Sequence, residues 1–340
     1  MPGSCAPRLA AVIASSLLAA SVGCERPGEF DQEAERPAPA PESTATWEGT
    51  TRGGGFGSRI AIVSGIVHVS APFAGEVWVG TESDAAILLY EFGSGTFAGA
   101  GLASDEAGRL LVGAPTAEDG WLRAGGSDTV AEGNGVGGTV AGSEYGWAAS
   151  TRTGWVSSAG QSIVLGRRPD ALAYYLLDHV AAGAAWGETA VWFGEYGILR
   201  RNPVDEAGAV LARCNTSGFG SDSSLAVGAP GEGAVYALGS SGVWTSMVAT
   251  GANRFGAAVV CGPQSGASTG IVIGAPHHGT DHNGAVYAFT NALGGLELLA
   301  EGEPGDELGT ALAYDGSSVY AGAPGGADSL GKVVIIPYPE

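Results

Sequence analysis

The chain is short of basic residues: Lys and Arg number 15 against 35 Asp and Glu, giving a formal charge of −20. A surface of that sign repels a phosphate backbone instead of holding it by counterion release, so nucleic acid is not an expected partner. The acidity reads as solubility outside the cytoplasm, with a specific cation-binding role as the alternative. Charged residues of both signs make up only 15% of the chain and apolar ones 45%, which excludes a chain disordered throughout. After the first 20 residues there is no run of about 18 apolar residues, so the body is expected to hold no membrane-spanning helix. The apolar runs that exist are short, aromatic or Val/Ile-rich, and are punctuated by many of the 59 glycines. That pattern suits short strands and tight turns, so an all-β fold is expected, in one large or two ordinary domains.

The first residues follow an export pattern. Arg8 precedes the apolar stretch Leu9 to Ala20, too short to span a bilayer and suited to the core of a signal peptide. It runs into Ser21-Val22-Gly23-Cys24, which resembles the lipobox of bacterial lipoproteins, with Ser21 where leucine is usual. The resemblance implies that residues 1–23 are removed and that Cys24 is acylated, placing the protein in the bacterial cell envelope on a lipid anchor. Ordinary signal-peptidase cleavage, giving a periplasmic or secreted protein, is the alternative. Lipidation of Cys24 would leave Cys214 and Cys261 as an even pair in an oxidising compartment. Residues 24–44 are acidic and Pro-rich with little to bury, and read as a disordered tether to a body spanning 45–340.

The body repeats. Ala207 to Leu238, Phe255 to Phe289 and Leu308 to Ile336 can be superimposed: an apolar-Gly start, a strand, a loop, a strand ending in Gly-Ala-Pro, and a third strand. The triplets are Gly228-Ala229-Pro230, Gly274-Ala275-Pro276 and Gly322-Ala323-Pro324, and the clearest start is Phe255-Gly256. Weaker copies begin at Phe56-Gly57, with Ser70-Ala71-Pro72 as triplet, and at Ala98-Gly99, with Gly113-Ala114-Pro115. A third copy is expected to start at Tyr145-Gly146, and a fourth near Val180 with its second strand at Ala190–Gly194. Gly permits close backbone approach and Pro removes the donor that would extend a ladder, so each triplet should stop a strand at a fixed place.

These residues resemble the FG-GAP repeats of integrin α-chain headpieces and bacterial surface proteins, over roughly Trp47 to Pro337. The resemblance implies a β-propeller of seven blades, with six as the alternative, because 170–207 matches poorly. One three- or four-stranded unit cannot bury both faces, so units must pack around an axis. Trp244 to Ala249 and Leu296 to Ala300 would be outer strands of preceding blades, and Thr46 to Thr50 would supply the outer strand of the last blade and close the ring. A monomer is expected.

The chemistry candidates are sparse. Family calcium loops carry an Asp/Asn ligand series, whereas the corresponding loops here, such as Asp105 to Gly108 and Asp315-Gly316, lack it; no cofactor is expected, with calcium as the alternative. His277, His278, Asp281 and His282 crowd one loop and could hold a transition metal, or form an exposed polar turn. Gly133 to Gly138 matches GxGxxG and Gly266 to Gly270 matches GxSxG, but neither has the strand-to-helix setting that those chemistries need. Glu195, Asp205 and Glu206 could supply an acid/base pair, or be scattered surface acids. Cys214 and Cys261 occupy nearly equivalent loops of neighbouring repeats, where a disulfide or two thiols could stand. The expected function is therefore non-enzymatic: adhesion, binding or scaffolding toward protein or glycan partners, with a hydrolase on a propeller scaffold as the alternative.

Overall fold

The computed structural model describes residues 45–80, 85–104, 107–117, 120–133, 135–138, 140–143, 146–150, 155–157, 172–177, 180–185, 190–193, 197–200, 210–214, 224–238, 244–265, 268–290 and 295–338. Cys24, the signal segment and the tether lie outside them. The described residues form an all-β structure of antiparallel sheets, with one four-residue helix at Gly326–Ser329.

Among the described residues, seven sheets of three or four strands follow one another along the chain, beside one two-stranded pair, and in all but the last the strands pair in sequence order. The first holds Arg59–Val63, Ile66–Ala71, Glu76–Gly80 and Ile87–Glu91. The second holds Gly101–Ser104, Leu110–Ala114, Trp121–Ala124 and Asp128–Glu132. The third has three strands, Val140–Ser143, Gly146–Ser150 and Trp155–Ser157; the fourth has Leu172–Leu177, Val180–Ala185, Ala190–Phe193 and Gly197–Arg200. The fifth comprises Val210–Cys214, Ser224–Ala229, Ala234–Leu238 and Trp244–Val248, and the sixth Ala258–Ser265, Ser268–Ala275, Ala285–Thr290 and Gly295–Glu301. The seventh contains Ala311–Tyr314, Ser318–Ala323 and Lys332–Pro337, and its fourth strand comes from the other end of the chain: Ala45–Glu48 pairs with Lys332–Pro337, Thr46 opposite Val334 and Trp47 opposite Val333.

From the fifth sheet through the seventh and on to the third, first strands pack side by side. Val210–Cys214 meets Ala258–Ser265, which meets Ala311–Tyr314; that strand meets Arg59–Val63, then Gly101–Ser104 and Val140–Ser143 follow. The second strands are apolar on both faces, as strands sandwiched between sheets must be. Val227, Ile271, Val272, Ile273, Val319 and Leu111 are all fully buried. The core is accordingly divided into clusters that each span neighbouring sheets, such as Val235, Phe255, Ile273 and Tyr287 between the fifth and sixth. Between the seventh and first, Trp47 lies 5.6 Å from Tyr320 and Phe56 meets Trp78 edge-on at 5.7 Å.

The start motif and the triplet turn out to be two halves of one joint. The Gly256 amide donates to the Gly274 carbonyl of its own sheet at 2.9 Å, and the Gly309 amide to Gly322 at 3.0 Å. The same glycine's carbonyl lies over the triplet glycine of the preceding sheet: a Cβ on Gly228 would run into the Gly256 oxygen, one on Gly274 into Gly309, and one on Gly322 into Gly57. The start glycines hold nearly one conformation, with φ of 90° at Gly57, 91° at Gly256 and 89° at Gly309, which a side chain resists. Proline then occupies the second position of a turn, as in Ala71-Pro72-Phe73-Ala74, where the Ala74 amide donates to the Ala71 carbonyl at 3.1 Å.

Two expectations are corrected. The third sheet opens not at Tyr145-Gly146 but at Val136-Gly137: Gly137 has φ 98° and blocks a Cβ at Gly113, and Val136 bridges Gly120 as Phe56 bridges Gly331 and Leu308 bridges Gly284. An aliphatic residue satisfies this joint because only its backbone makes the bridge. The GxGxxG match at Gly133 to Gly138 is therefore the entry to a sheet. In the fourth sheet, Ala190–Phe193 is the third strand and Val180–Ala185 the second, since Leu172–Leu177 supplies a first strand.

Candidate functional site

Among the described residues, a group of chemically active side chains gathers where the sixth sheet leads into the seventh. After Gly274-Ala275-Pro276, His277–His278 pairs antiparallel with Ala252–Asn253, the segment entering the sixth sheet. The loop is then tied to the entry of the seventh: Gly305 N donates to Asp281 O at 2.8 Å, Glu307 N to His282 O at 3.0 Å and Leu308 N to Asn283 O at 3.1 Å. His282 and Glu307 both adopt left-handed backbone conformations, φ 54° and 57°, held by these bonds.

The result is a cluster of His277, His282 and Glu307. The two imidazoles stack with centroids 4.4 Å apart and planes 2° from parallel. One ring nitrogen of each and a Glu307 carboxylate oxygen all lie within 4.8 Å of one another. Burial is the main cause lowering the His277 pKa; His282 and Arg254 push it the same way, against Glu307. His277 and His282 are half-buried and exposed respectively.

Of the four loop residues singled out in the sequence, the structure brings only His277 and His282 together. His278 turns to the other side, its Nδ1 3.2 Å from the Tyr287 hydroxyl and its Nε2 3.9 Å from Glu301. Burial, helped by Glu301, pushes the Tyr287 hydroxyl up to about 12. Asp281 contributes its backbone carbonyl to the loop and lies outside the cluster. Glu307 was missed because it belongs to the next repeat; its place directly before the start motif Leu308-Gly309 is the signal that could have found it.

The remaining candidates separate cleanly. Asp315 is occupied by its own turn: Oδ1 accepts from Ser317 N at 2.8 Å and Ser318 N at 2.9 Å, and Oδ2 from the Tyr320 hydroxyl at 2.9 Å. Burial works to raise its pKa, but these bonds outweigh it and hold the carboxyl below the usual range. Ser268 opens a strand opposite Ser265, a hairpin and not a nucleophile elbow. Cys261 is disulfide-bonded, and its strand lies against the one that carries Cys214. Glu195, Asp205, Glu206 and the 105–106 loop fall outside the described residues.

A second surface feature is apolar. The outermost strand of the first sheet, Ile87–Glu91, leaves Ile87 64% and Leu88 44% exposed, with Leu89 also in solvent. A bulge opposite Val77/Trp78 bends it.

No protein-family model matches the chain, and no curated protein sequence does. Among solved structures, the chain is similar to the selenomethionine form of virginiamycin B lyase from Staphylococcus aureus, at 12% identity and TM-score 0.60, covering 87% of this chain and 99% of that one. A streptogramin B lyase structure matches at 11% identity and TM-score 0.59, over 86% and 97% of the two chains. A chain of the Mitotic Checkpoint Complex matches at 15% identity and TM-score 0.56, over 96% and 100%. All are β-propellers, and likeness at such low identity shows that fold and nothing finer.

Proposed function

We propose that this protein is a lipid-anchored component of a bacterial cell envelope, whose seven-bladed FG-GAP-like propeller binds or scaffolds protein or glycan partners without catalysing a reaction. In this reading the chain closes its own ring, because Ala45–Glu48 serves as the outer strand of the last blade. The tether would join the body at Ala45. The observation that carries the binding role is the apolar outer strand: Ile87, Leu88 and Leu89 stand in solvent on an edge, where a domain without partners would place charge.

The test compares the wild-type protein with Cys24→Ala after expression in a bacterial host, by intact mass and detergent-phase partition. The wild type is expected to carry the mass of an acylated cysteine and to enter the detergent phase, and the variant to lose both. Two soluble, unlipidated proteins would overturn the anchor and leave a secreted propeller. The other reading, a periplasmic or secreted hydrolase, is favoured by His277, His282 and Glu307, which converge as an acid/base group could.

A further inference from the structure

The geometry points to a divalent transition-metal site, for Zn²⁺ in the first instance, formed by His277, His282 and Glu307 at the junction of the sixth and seventh sheets. Two imidazoles and one carboxylate are a borderline-soft donor set suited to Zn²⁺, with one coordination position left to water or to an oxygen ligand of a bound partner. A tetrahedral zinc about 2.0–2.1 Å from each donor requires donors about 3.3 Å apart. The donor atoms here lie within 4.8 Å, but the two imidazole planes are parallel and an ion must lie in both, so the exposed His282 ring has to rotate out of the stack while the donors close by roughly 1.5 Å.

The backbone is already arranged for this. His277 is fixed by the strand pair with Ala252–Asn253, and the Glu307 amide is bonded to the His282 carbonyl, so the three donors come from segments joined before any ion arrives. The same bonds connect two sheets, so a bound ion would clip the loop after the sixth sheet's triplet to the entry of the seventh. This holds whether the protein binds partners or turns over a substrate.

The experiment uses the full chain purified in detergent, stripped with chelator and titrated with Zn²⁺ alone by calorimetry near neutral pH. One equivalent is expected to bind with micromolar or tighter affinity and to raise the melting temperature. His282→Ala and Glu307→Gln each remove a direct donor and are expected to weaken binding by more than the roughly 10- to 100-fold that loss of an outer-shell partner causes, while Asp281→Asn leaves it unchanged. Co²⁺ in place of Zn²⁺ should give visible bands of tetrahedral coordination that His282→Ala abolishes. No saturable binding, binding retained in both ligand variants, or equal loss in Asp281→Asn would overturn the site, the last marking a diffuse acidic surface. Metal-free melting of each variant reports whether it is folded; Glu307→Gln keeps the test open if His282→Ala is not.

Discussion

Gly256 shows how little freedom a single position has in this fold. Its amide bonds Gly274 within its sheet, its carbonyl covers Gly228 of the sheet before, and its φ of 91° disfavours any side chain. A Cβ at Gly256 would sit 2.6 Å from the Ala234 carbonyl oxygen, so alanine must either move that strand or change its own backbone. Gly256→Ala is expected to cost about 2–4 kcal/mol of unfolding free energy, combining left-handed strain with overpacking. Gly251→Ala is the control, measured beside it by denaturant titration: its φ is also positive, at 76°, but it has open space around it, so only the strain should appear. The joint was legible in the sequence as a recurring pair of motifs, because glycine stands at both halves in most sheets; in the first, Ser70 takes the triplet position and still accepts from the Gly57 amide. The start residue was less legible: Phe56, Val136 and Leu308 all bridge through their backbone and are buried, so the position asks only for an apolar side chain, and Val136 lacks the aromatic signature. The His277–His282–Glu307 group was half legible for a related reason. Two of its members share a loop, while the third is brought in by the packing of one repeat on the next.

At the scale of elements, the second strands of the first, second, fifth, sixth and seventh sheets are buried on both faces along nearly all their described length, so neighbouring sheets depend on one another more than on their own turns. The first strands of the fifth and sixth sheets carry the cysteines, and Cys261 is in a disulfide. We infer that Cys214 is its partner, since these strands pack together. Oxidised, denatured mature protein should then show no free thiol among Cys214 and Cys261. Cys214→Ser should lower stability by about 2–4 kcal/mol, as expected for a bridge closing a medium-length loop. Two free thiols would contradict the pairing. The strands themselves were readable where glycine and proline bounded them, as at Leu225-Ala226-Val227 and Ile271-Val272-Ile273. The fourth sheet was not, because no triplet marks the end of Val180–Ala185 and the aromatic run at Ala190–Phe193 has the look of a second strand.

At the scale of the whole molecule, the first strand pairs with the last sheet, and we infer that a single chain completes its own ring in this way. Trp47 is the side chain that makes this strand more than a ribbon edge. It is buried, pairs with Val333 and packs on Tyr320, between the seventh sheet and the first. The pairing also fixes where the tether would leave the body, which links the fold to the proposed anchor. The direct measurement is a disulfide engineered between Thr46→Cys and Val334→Cys, which stand opposite each other in the pair. Under oxidation the account predicts a cross-link within one chain, mapped by mass spectrometry of the digest, in a protein that stays monomeric and melts at a higher temperature. Failure to cross-link, or cross-links only between chains, would mean that the first strand does not close the ring of its own molecule.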